Sequence, residues 1–299
     1  MVSWDGKSKG GTLGYKIFIE ILKYTHIRIA YFLLYFVTFW FFIFSEKKGI
    51  RFYFKTIHNY SQLKTLISIY RNFYVFGQTL IDKTAILGGL SEKFTFDFEG
   101  EHYLHQMANE NTGGVLIGAH IGNWEIAGQL LARINTKIHI AMYDGEQQQI
   151  KELMAQVIKK KKTGIIYIKD NDISYLYKIA DALKKKEIIA IHGDRFLQGS
   201  NKVTTTFLNY KADFPSGPFY LASKYKVPVV YVSAMKETAT HYHFYATKPV
   251  YNRYPSNLKT RKTELKAMVD DYVREMEKMV LKYPLQWFNY YQFWKNKNL

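Results

Sequence analysis

The sequence of 299 residues has no cysteine, only 6 prolines, and far fewer acidic residues (25) than basic ones (42). Without cysteine there is no disulfide-bonded secreted framework, no cysteine-ligated metal centre and no cysteine nucleophile. The sequence also lacks the GxxxxGK[ST] and GxGxxG motifs of nucleotide enzymes and the GxSxG elbow of serine hydrolases. These absences leave nucleotide chemistry and a serine acyl-enzyme unsupported.

The charge balance points to an acidic partner. The formal net charge is +17, and 47% of the residues are hydrophobic, which is too many for a disordered basic tail. The length allows one large or two small globular domains. A basic chain of this kind suits nucleic acid, an anionic membrane surface or an acidic carrier protein, and charge alone does not choose among them.

One long aromatic run lies near the N-terminus. Residues Ile29 to Phe44 read IAYFLLYFVTFWFFIF and contain no charge. The run is shorter than the roughly 20 apolar residues of a spanning helix, and no small-residue cleavage site follows it as in a signal peptide. Its aromatic and basic flanks favour an interfacial or short membrane-inserted anchor, and a buried core helix is the alternative. We therefore expect a membrane-attached protein with an anchor in residues 1–50.

After a mostly helical stretch from Ser45 to Thr112, short β-rich runs alternate with amphipathic ones. The predicted strands are Gly114 to Ala119, Lys137 to Tyr143, Gly164 to Lys169, Glu187 to His192, Pro228 to Met235 and His241 to Val250. The predicted helices are Trp124 to Ile134, Glu146 to Lys162, Ile173 to Lys186, Gly217 to Lys226 and Leu258 to Lys282. This alternation predicts one α/β domain over residues 51–299, with a largely parallel sheet flanked by helices.

Ionisable groups follow two of these strands directly. The run GVLIGA leads into His120 and then Glu125, and the run EIIAIH leads into Asp194 and Arg195. Chemistry in parallel sheets gathers at the carboxyl ends of the strands, so both junctions are candidate sites.

A histidine followed five positions later by a carboxylate can form a general base with its orienting acid. His120 and Glu125 have this spacing at a strand-to-helix junction, but the spacing alone is weak evidence. Two further pairs share it, His105/Glu110 and His139/Asp144. The first of these lies in a helical pattern and the second inside a strand. For His120 and Glu125, the alternative is a purely structural role, in which the Glu125 carboxylate stabilises a helix N-terminus.

The complete string GAHIGNWE resembles the histidine–acid motif of lysophospholipid-type acyltransferases, and specifically of the bacterial lipid A late acyltransferases. The stretch IHGDRFLQG, with the following TTFLNYKADFPSGPFYLASKYKVPVV, is similar to the second conserved block of that family. The closing YPLQWFNYYQFW resembles its C-terminal Pro–Gln–Trp signature. Together with the N-terminal apolar run, the resemblance covers nearly the whole chain in the right order.

The resemblance implies a glycerol-3-phosphate-acyltransferase-like fold and a membrane acyltransferase. Acyl carrier protein or coenzyme A would carry the acyl thioester, and a lipid would accept the acyl group at the cytoplasmic face of the inner membrane. It makes His120 the general base and Glu125 its partner, while Asn123 and Trp124 shape the turn between them and border the substrate. No cofactor, metal or nucleic acid is implied.

The resemblance also marks a second group of substrate-binding residues, namely Asp194, Arg195, Ser216 and Gly217. Arg195 would stabilise the thioester oxyanion or bind phosphate, or alternatively pair with Asp194. Ser216 and Gly217 open a helix whose N–H groups would bind an anion, or form an ordinary N-cap.

One position departs from the family pattern. Tyr143 is followed by Asp144, where lipid A acyltransferases often carry an arginine. The missing cation puts lipid A itself in doubt and leaves another hydroxylated or amino lipid open as acceptor.

Weaker features have mostly ordinary explanations. The lysine groups at 159–162 and 184–186 end predicted helices, and docking to anionic lipid or an acidic carrier is the alternative. His241 and His243 alternate on one strand face without a close acidic third ligand, so no metal site is predicted. The leading hypothesis is an acyltransferase. The alternatives are a non-catalytic basic membrane- or nucleic-acid-binding protein and a thioesterase.

Overall fold

The computed structural model describes residues 20, 22–126, 133–143, 163–169, 172–196 and 199–295. Helices are α1 Ile27–Phe44, α2 Lys48–Phe52 (continued by a π-helix, Tyr53–Ile57), α3 Gln62–Leu87, α4 Glu101–Asn109, α5 Ser174–Lys184, α6 Gly217–Lys224 and α7 Arg261–Lys282. Strands are β1 Thr95–Glu99, β2 Gly114–Gly118, β3 Ile138–Tyr143, β4 Thr163–Ile168, β5 Ile188–His192, β6 Lys202–Phe207, β7 Tyr210–Pro215, β8 Val229–Lys236 and β9 His241–Ala246. The helix predicted for Glu146 to Lys162 lies outside the described residues, as does most of the one predicted from Trp124.

A central sheet confirms the predicted α/β class. Within the described residues it has seven strands in the order β1-β9-β8-β2-β5-β3-β4, and β6 pairs with β7 in a separate hairpin. All neighbours in the large sheet are parallel except β8 and β9, which run antiparallel. The central strand β2 is buried along nearly its whole length, as expected for a parallel strand covered on both faces.

One strand lies where the sequence predicts mostly helix. Strand β1 (Thr95–Glu99) pairs in parallel with β9 at the sheet edge. Its rings Phe96 and Phe98 pack on Phe244 of β9 at centroid distances of 5.7 and 5.1 Å. This helical prediction was wrong because the partner that stabilises the short strand lies far away in the sequence.

Helix α1 is exposed over most of its length, which contradicts the alternative of a buried core helix. Only 17% of its apolar span is buried, and the helix is long and apolar enough to cross a membrane. Its exposed large side chains are Ile29, Phe32, Leu33, Tyr35, Phe36, Val37, Phe39, Trp40, Phe41, Ile43 and Phe44. Its 18 residues span about 27 Å, close to the roughly 30 Å of a bilayer core.

Helix α1 is also joined to the folded domain. Tyr35 stacks on Tyr74 of α3 with 4.3 Å between ring centroids, and Tyr31 is only 4% exposed. Just beyond α1, Ile50 is fully buried in the same apolar cluster as Trp287 near the C-terminus. The predicted boundary between residues 1–50 and 51–299 stays a prediction. The residues on both sides of it, such as Ile50 and Phe52, are buried in the same apolar cluster.

Candidate active site

The two strands that the sequence analysis singled out lie side by side. Strands β2 and β5 are parallel neighbours, and Gly118 at the end of β2 pairs with His192 at the end of β5. The Gly193 N–H donates to the Gly118 carbonyl at 2.9 Å, which continues the pairing beyond the last strand residue. The segments that leave the sheet here, beginning at His120 and Asp194, therefore emerge together.

The imidazole of His120 is held by the carboxylate of Asp194. Its Nδ1 lies 2.9 Å from Oδ1 and 3.1 Å from Oδ2, and the His120 backbone N–H donates to Oδ2 at 3.0 Å. Asp194 is 2% exposed. Because a carboxylate accepts from Nδ1–H, the neutral ring keeps a lone pair on Nε2, the arrangement that a general base needs.

The environment of Asp194 keeps its carboxylate ionised. Burial alone would raise the pKa of Asp194, but the charge and hydrogen bond of His120, with a smaller contribution from Arg195, outweigh burial and hold that pKa well below its usual range. A permanently charged carboxylate stabilises the imidazolium that forms when His120 accepts a proton.

The sequence analysis assigned the orienting role to Glu125. Its backbone lies in the short 3-10 turn Trp124–Ile126, and its side chain falls outside the description. At Nδ1 of His120 the structure places Asp194, which had been predicted as a substrate-binding residue. The role of Glu125 stays a prediction.

His192 is a site residue that the sequence analysis noted at the strand end without assigning it a role. Its ring centroid lies 4.4 Å from that of His120, and Trp124 packs edge-on against both imidazoles at 4.8 and 5.8 Å. Burial, and then the charge of His120, lowers the pKa of His192 to about 3. His192 is therefore neutral near pH 7 and adds no positive charge beside His120.

The turn from His120 to Trp124, here called the catalytic turn, is fixed by backbone contacts. Gly122 has φ +62°, and a Cβ there would lie 2.1 Å from the carbonyl oxygen of Ala234. The Gly122 N–H donates to the Gln286 carbonyl, and the Asn123 N–H donates to the Ala234 carbonyl, each at 2.8 Å. Glycine is required here because the turn combines a left-handed conformation with a close backbone approach.

The C-terminal segment closes over the same region. The Phe288 N–H donates to the His120 carbonyl at 3.2 Å, and Nη2 of Arg195 donates to the Phe288 carbonyl at 3.2 Å. The guanidinium of Arg195 also lies over the ring of Tyr291, 5.6 Å from its centroid. These contacts place Arg195 next to the His120–Asp194 pair.

Ser216 and Gly217 lie at the junction of β7 and α6. Ser216 is buried, and its hydroxyl donates to the Asn201 carbonyl at 3.3 Å instead of capping the helix. Ser216 thus occupies the N-cap position of α6 without a side-chain capping bond, and anion binding at this helix start stays a prediction. A Cβ at Gly217 would meet nothing within 4 Å, so this helix start has open space beside it.

The remaining candidates have structural partners or lie outside the description. Nε2 of His241 lies 3.5 Å from the Asp97 carboxylate, and Nε2 of His243 lies 3.8 Å from that of Glu99. Among the described residues no group of three or more His, Asp and Glu side chains is arranged to hold a metal ion. Lys185 pairs with Asp181 within α5 at 2.6 Å. Asp144 and the lysines at 159–162 lie outside the described residues.

Comparison with known proteins identifies a family and a similar solved structure, both of them acyltransferases. A family model described as bacterial lipid A biosynthesis acyltransferase matches residues 67–296 of the chain. Among solved structures, the 1-acyl-sn-glycerophosphate acyltransferase PlsC from Thermotoga maritima is similar, with 14% identity and a TM-score of 0.40, covering 84% of this chain and 97% of its own. None of the curated sequences compared with the chain matches it.

Proposed function

Because the chain belongs to the bacterial lipid A biosynthesis acyltransferase family, it is an acyltransferase of lipid biosynthesis, and we propose that His120 is its general base. The reaction transfers a fatty acyl group from an acyl thioester to a hydroxyl or amine of a lipid acceptor. Family membership favours this enzymatic function over a non-catalytic membrane- or nucleic-acid-binding protein.

The observation that carries the proposal is the buried His120–Asp194 pair at the ends of two adjacent strands. Nε2 of His120 takes the proton from the acceptor as its oxygen or nitrogen attacks the thioester carbonyl. The tetrahedral intermediate then collapses, the carbon–sulfur bond breaks, and the leaving thiolate takes that proton from the imidazolium. Asp194 holds the ring and stabilises its charged form throughout.

Two neighbouring side chains support this chemistry electrostatically. Arg195, held by the Phe288 carbonyl and Tyr291, supplies a fixed positive charge for the developing oxyanion. His192 remains uncharged because its pKa is lowered to about 3. When His120 is protonated, the neighbouring His192 imidazole therefore does not repel the new charge. Direct attack by the acceptor fits a chain that has neither cysteine nor a GxSxG serine.

The donor and the acceptor are proposed by class. Acyl carrier protein or coenzyme A carries the acyl group, and a lipid A precursor or a related hydroxylated or amino lipid accepts it. The Asp144 departure from the lipid A pattern favours a related lipid.

The membrane is the proposed working surface. The exposed aromatic face of α1 would enter the cytoplasmic leaflet of the inner membrane, and the excess of basic residues would be attracted to its anionic headgroups. A salt-dependent electrostatic contribution and a salt-independent apolar contribution to binding are therefore both expected.

The test combines lipid analysis with a matched pair of variants. Lipids from cells with and without the gene are compared by mass spectrometry, where a difference of one acyl group identifies chain and acceptor. Purified protein is then assayed with acyl carrier protein and coenzyme A thioesters on that acceptor. His120→Ala is expected to abolish transfer, and His105→Ala, which changes a partly exposed side chain of α4, is expected to retain it. Full activity of His120→Ala contradicts the proposal, and equal turnover with water alone indicates a thioesterase.

A further inference from the structure

The catalytic turn is fastened to the sheet on one side and to a buried polar cluster on the other. On the sheet side, backbone groups of Ala234 and Gln286 hold Gly122 and Asn123. The Gln286 side chain in turn bonds both backbone groups of Lys236, at 2.9 Å to its N–H and 2.7 Å to its carbonyl. That leaves the Asn123 side chain as the link to the interior.

The Asn123 amide is buried, with 3% of the residue exposed. Its Nδ2 donates to the Thr79 carbonyl of α3 and to the hydroxyl oxygen of Tyr242, each at 3.2 Å. Both amide protons are therefore used within the protein, so this side chain fixes the turn from inside.

The Tyr242 hydroxyl is oriented by a buried carboxylate. It donates to Oδ2 of Asp82, a fully buried side chain that also accepts from Tyr31 of α1. Nζ of Lys236 lies 2.6 Å from the same oxygen of Asp82. Because its proton is committed to Asp82, the Tyr242 oxygen offers a lone pair to Asn123.

We propose that Tyr242 is a positioning residue, which holds the catalytic turn, and with it His120, through the Asn123 side chain. The inference rests on the proposed function, since it takes His120 to be the base. Asp82 and Lys236 compensate one another's charge in the interior and set the direction in which Tyr242 points. Tyr242, Asp82 and Lys236 are all buried, so their effect is on the placement of His120.

The structure supplies a matched control for Tyr242. Tyr31→Phe and Tyr242→Phe each remove one phenol that donates to Asp82. Tyr31→Phe additionally removes an oxygen that accepts from Nζ of Lys236 at 3.1 Å, so it disturbs the buried cluster at least as much. Only Tyr242→Phe also removes one of the two acceptors of the Asn123 amide. A difference between the two variants in turnover therefore reports on the link to the catalytic turn.

The experiment measures kcat, KM and thermal unfolding of the full-length protein in detergent micelles. Tyr242→Phe is expected to lower kcat by about 10- to 100-fold with little change in KM, because displacement of a catalytic group by about 1 Å costs this much in rate. Tyr31→Phe is expected to keep kcat near the wild-type value. In an Asn123→Ala background, where the link is already broken, Tyr242→Phe should lower kcat no further.

Equal kcat values for Tyr242→Phe and Tyr31→Phe overturn the inference, as do additive effects of Asn123→Ala and Tyr242→Phe. If Tyr242→Phe does not fold, wild-type kcat in Asn123→Ala overturns it as well. His120→Ala distinguishes failure of the proposed function from failure of the positioning role. If His120→Ala is active, the proposed function is wrong. If His120→Ala is inactive and Tyr242→Phe has wild-type kcat, only the positioning role is wrong.

Discussion

The side chains of His120 and Asp194 lie 74 positions apart in the chain and meet at 2.9 Å between Nδ1 and Oδ1. The same carboxylate accepts the backbone N–H of His120. Asp194 thus fixes both the ring and the chain segment that carries it. This double attachment makes the carboxylate the most informative position for testing the mechanism.

Asp194→Asn is expected to lower kcat by about a thousandfold or more. The amide would present an N–H to Nδ1, which favours the tautomer with its proton on Nε2 and removes the lone pair that takes the acceptor's proton. The corresponding change in a Ser-His-Asp triad costs about 10⁴-fold. Initial rates with an acyl thioester measure the effect. The control is Asp181→Asn on the exposed surface of α5, and equal rates in the two variants would rule out the orienting role.

Replacing His192 is expected to flatten the pH dependence of stability. The pKa of His192 is about 3 in the folded protein, against roughly 6.5 for a solvated histidine. Between these values the unfolded chain binds a proton that the folded chain does not, so stability falls as the pH is lowered through this interval. From pH 7 to pH 5 the wild type should lose about 2 kcal/mol more than His192→Gln.

Denaturant unfolding at the two pH values measures this difference. His102→Gln, on the exposed surface of α4, is the control and should behave as the wild type does. If His192→Gln shows the wild-type loss between pH 7 and pH 5, the histidine is not held neutral.

Gly122→Ala is expected to inactivate the protein, whereas Gly199→Ala is not. Both glycines have positive φ, +62° and +84°, so each substitution introduces backbone strain of about 1–2 kcal/mol. A Cβ at Gly122 would also lie 2.1 Å from the Ala234 carbonyl oxygen, while one at Gly199 would meet nothing within 4 Å. Unfolding temperature and kcat are the measurements, and similar values in the two variants would show that the close approach at Gly122 is unimportant.

Charged residues on the exposed face of α1 are expected to weaken membrane binding. Phe36 and Trp40 are 66% and 64% exposed, and burying each such side chain contributes about 1.5–3 kcal/mol. The double variant Phe36→Glu/Trp40→Glu should therefore bind vesicles at least about 100-fold more weakly. Cosedimentation with phosphatidylglycerol vesicles measures the binding. Ile173→Glu/Tyr177→Glu, which charges exposed apolar positions on α5, is the control, and an equal loss there would point to a different contact surface.

His120 could be found in the sequence because a continuous apolar run ends immediately before it and a parallel strand must deliver its next residues to the sheet edge. The same rule identified Asp194. The direct contact between His120 and Asp194 could not be predicted from the sequence pattern. It depends on the strand order, in which β5 lies next to β2 while β3 and β4 lie on the far side of β5. Sequence spacing detects partners a few residues apart, and so it favoured Glu125.

Other features depend on contacts between distant segments. The edge strand β1 follows a long helix, and only its pairing with β9, far along the chain, distinguishes it from more helix. Asp82 looks like an ordinary polar residue on α3 until the fold brings Lys236 and Tyr242 against it. The exposure of α1 was by contrast the favoured prediction over a buried core helix, because aromatic and basic flanks around an uncharged apolar run are typical of an interfacial or membrane-inserted helix.

The attachment of α1 has a practical consequence for making a water-soluble enzyme. Removing the exposed apolar helix is the obvious way to make such a variant, but Tyr31 of α1 donates to the buried Asp82 and Tyr35 stacks on Tyr74 of α3. Deleting α1 would remove one hydrogen-bond donor of the Asp82 carboxylate and expose the apolar surface of α3 that α1 covers. Redesigning only the outward-facing positions of the helix would retain both, so a soluble variant is better obtained by changing that surface than by shortening the chain.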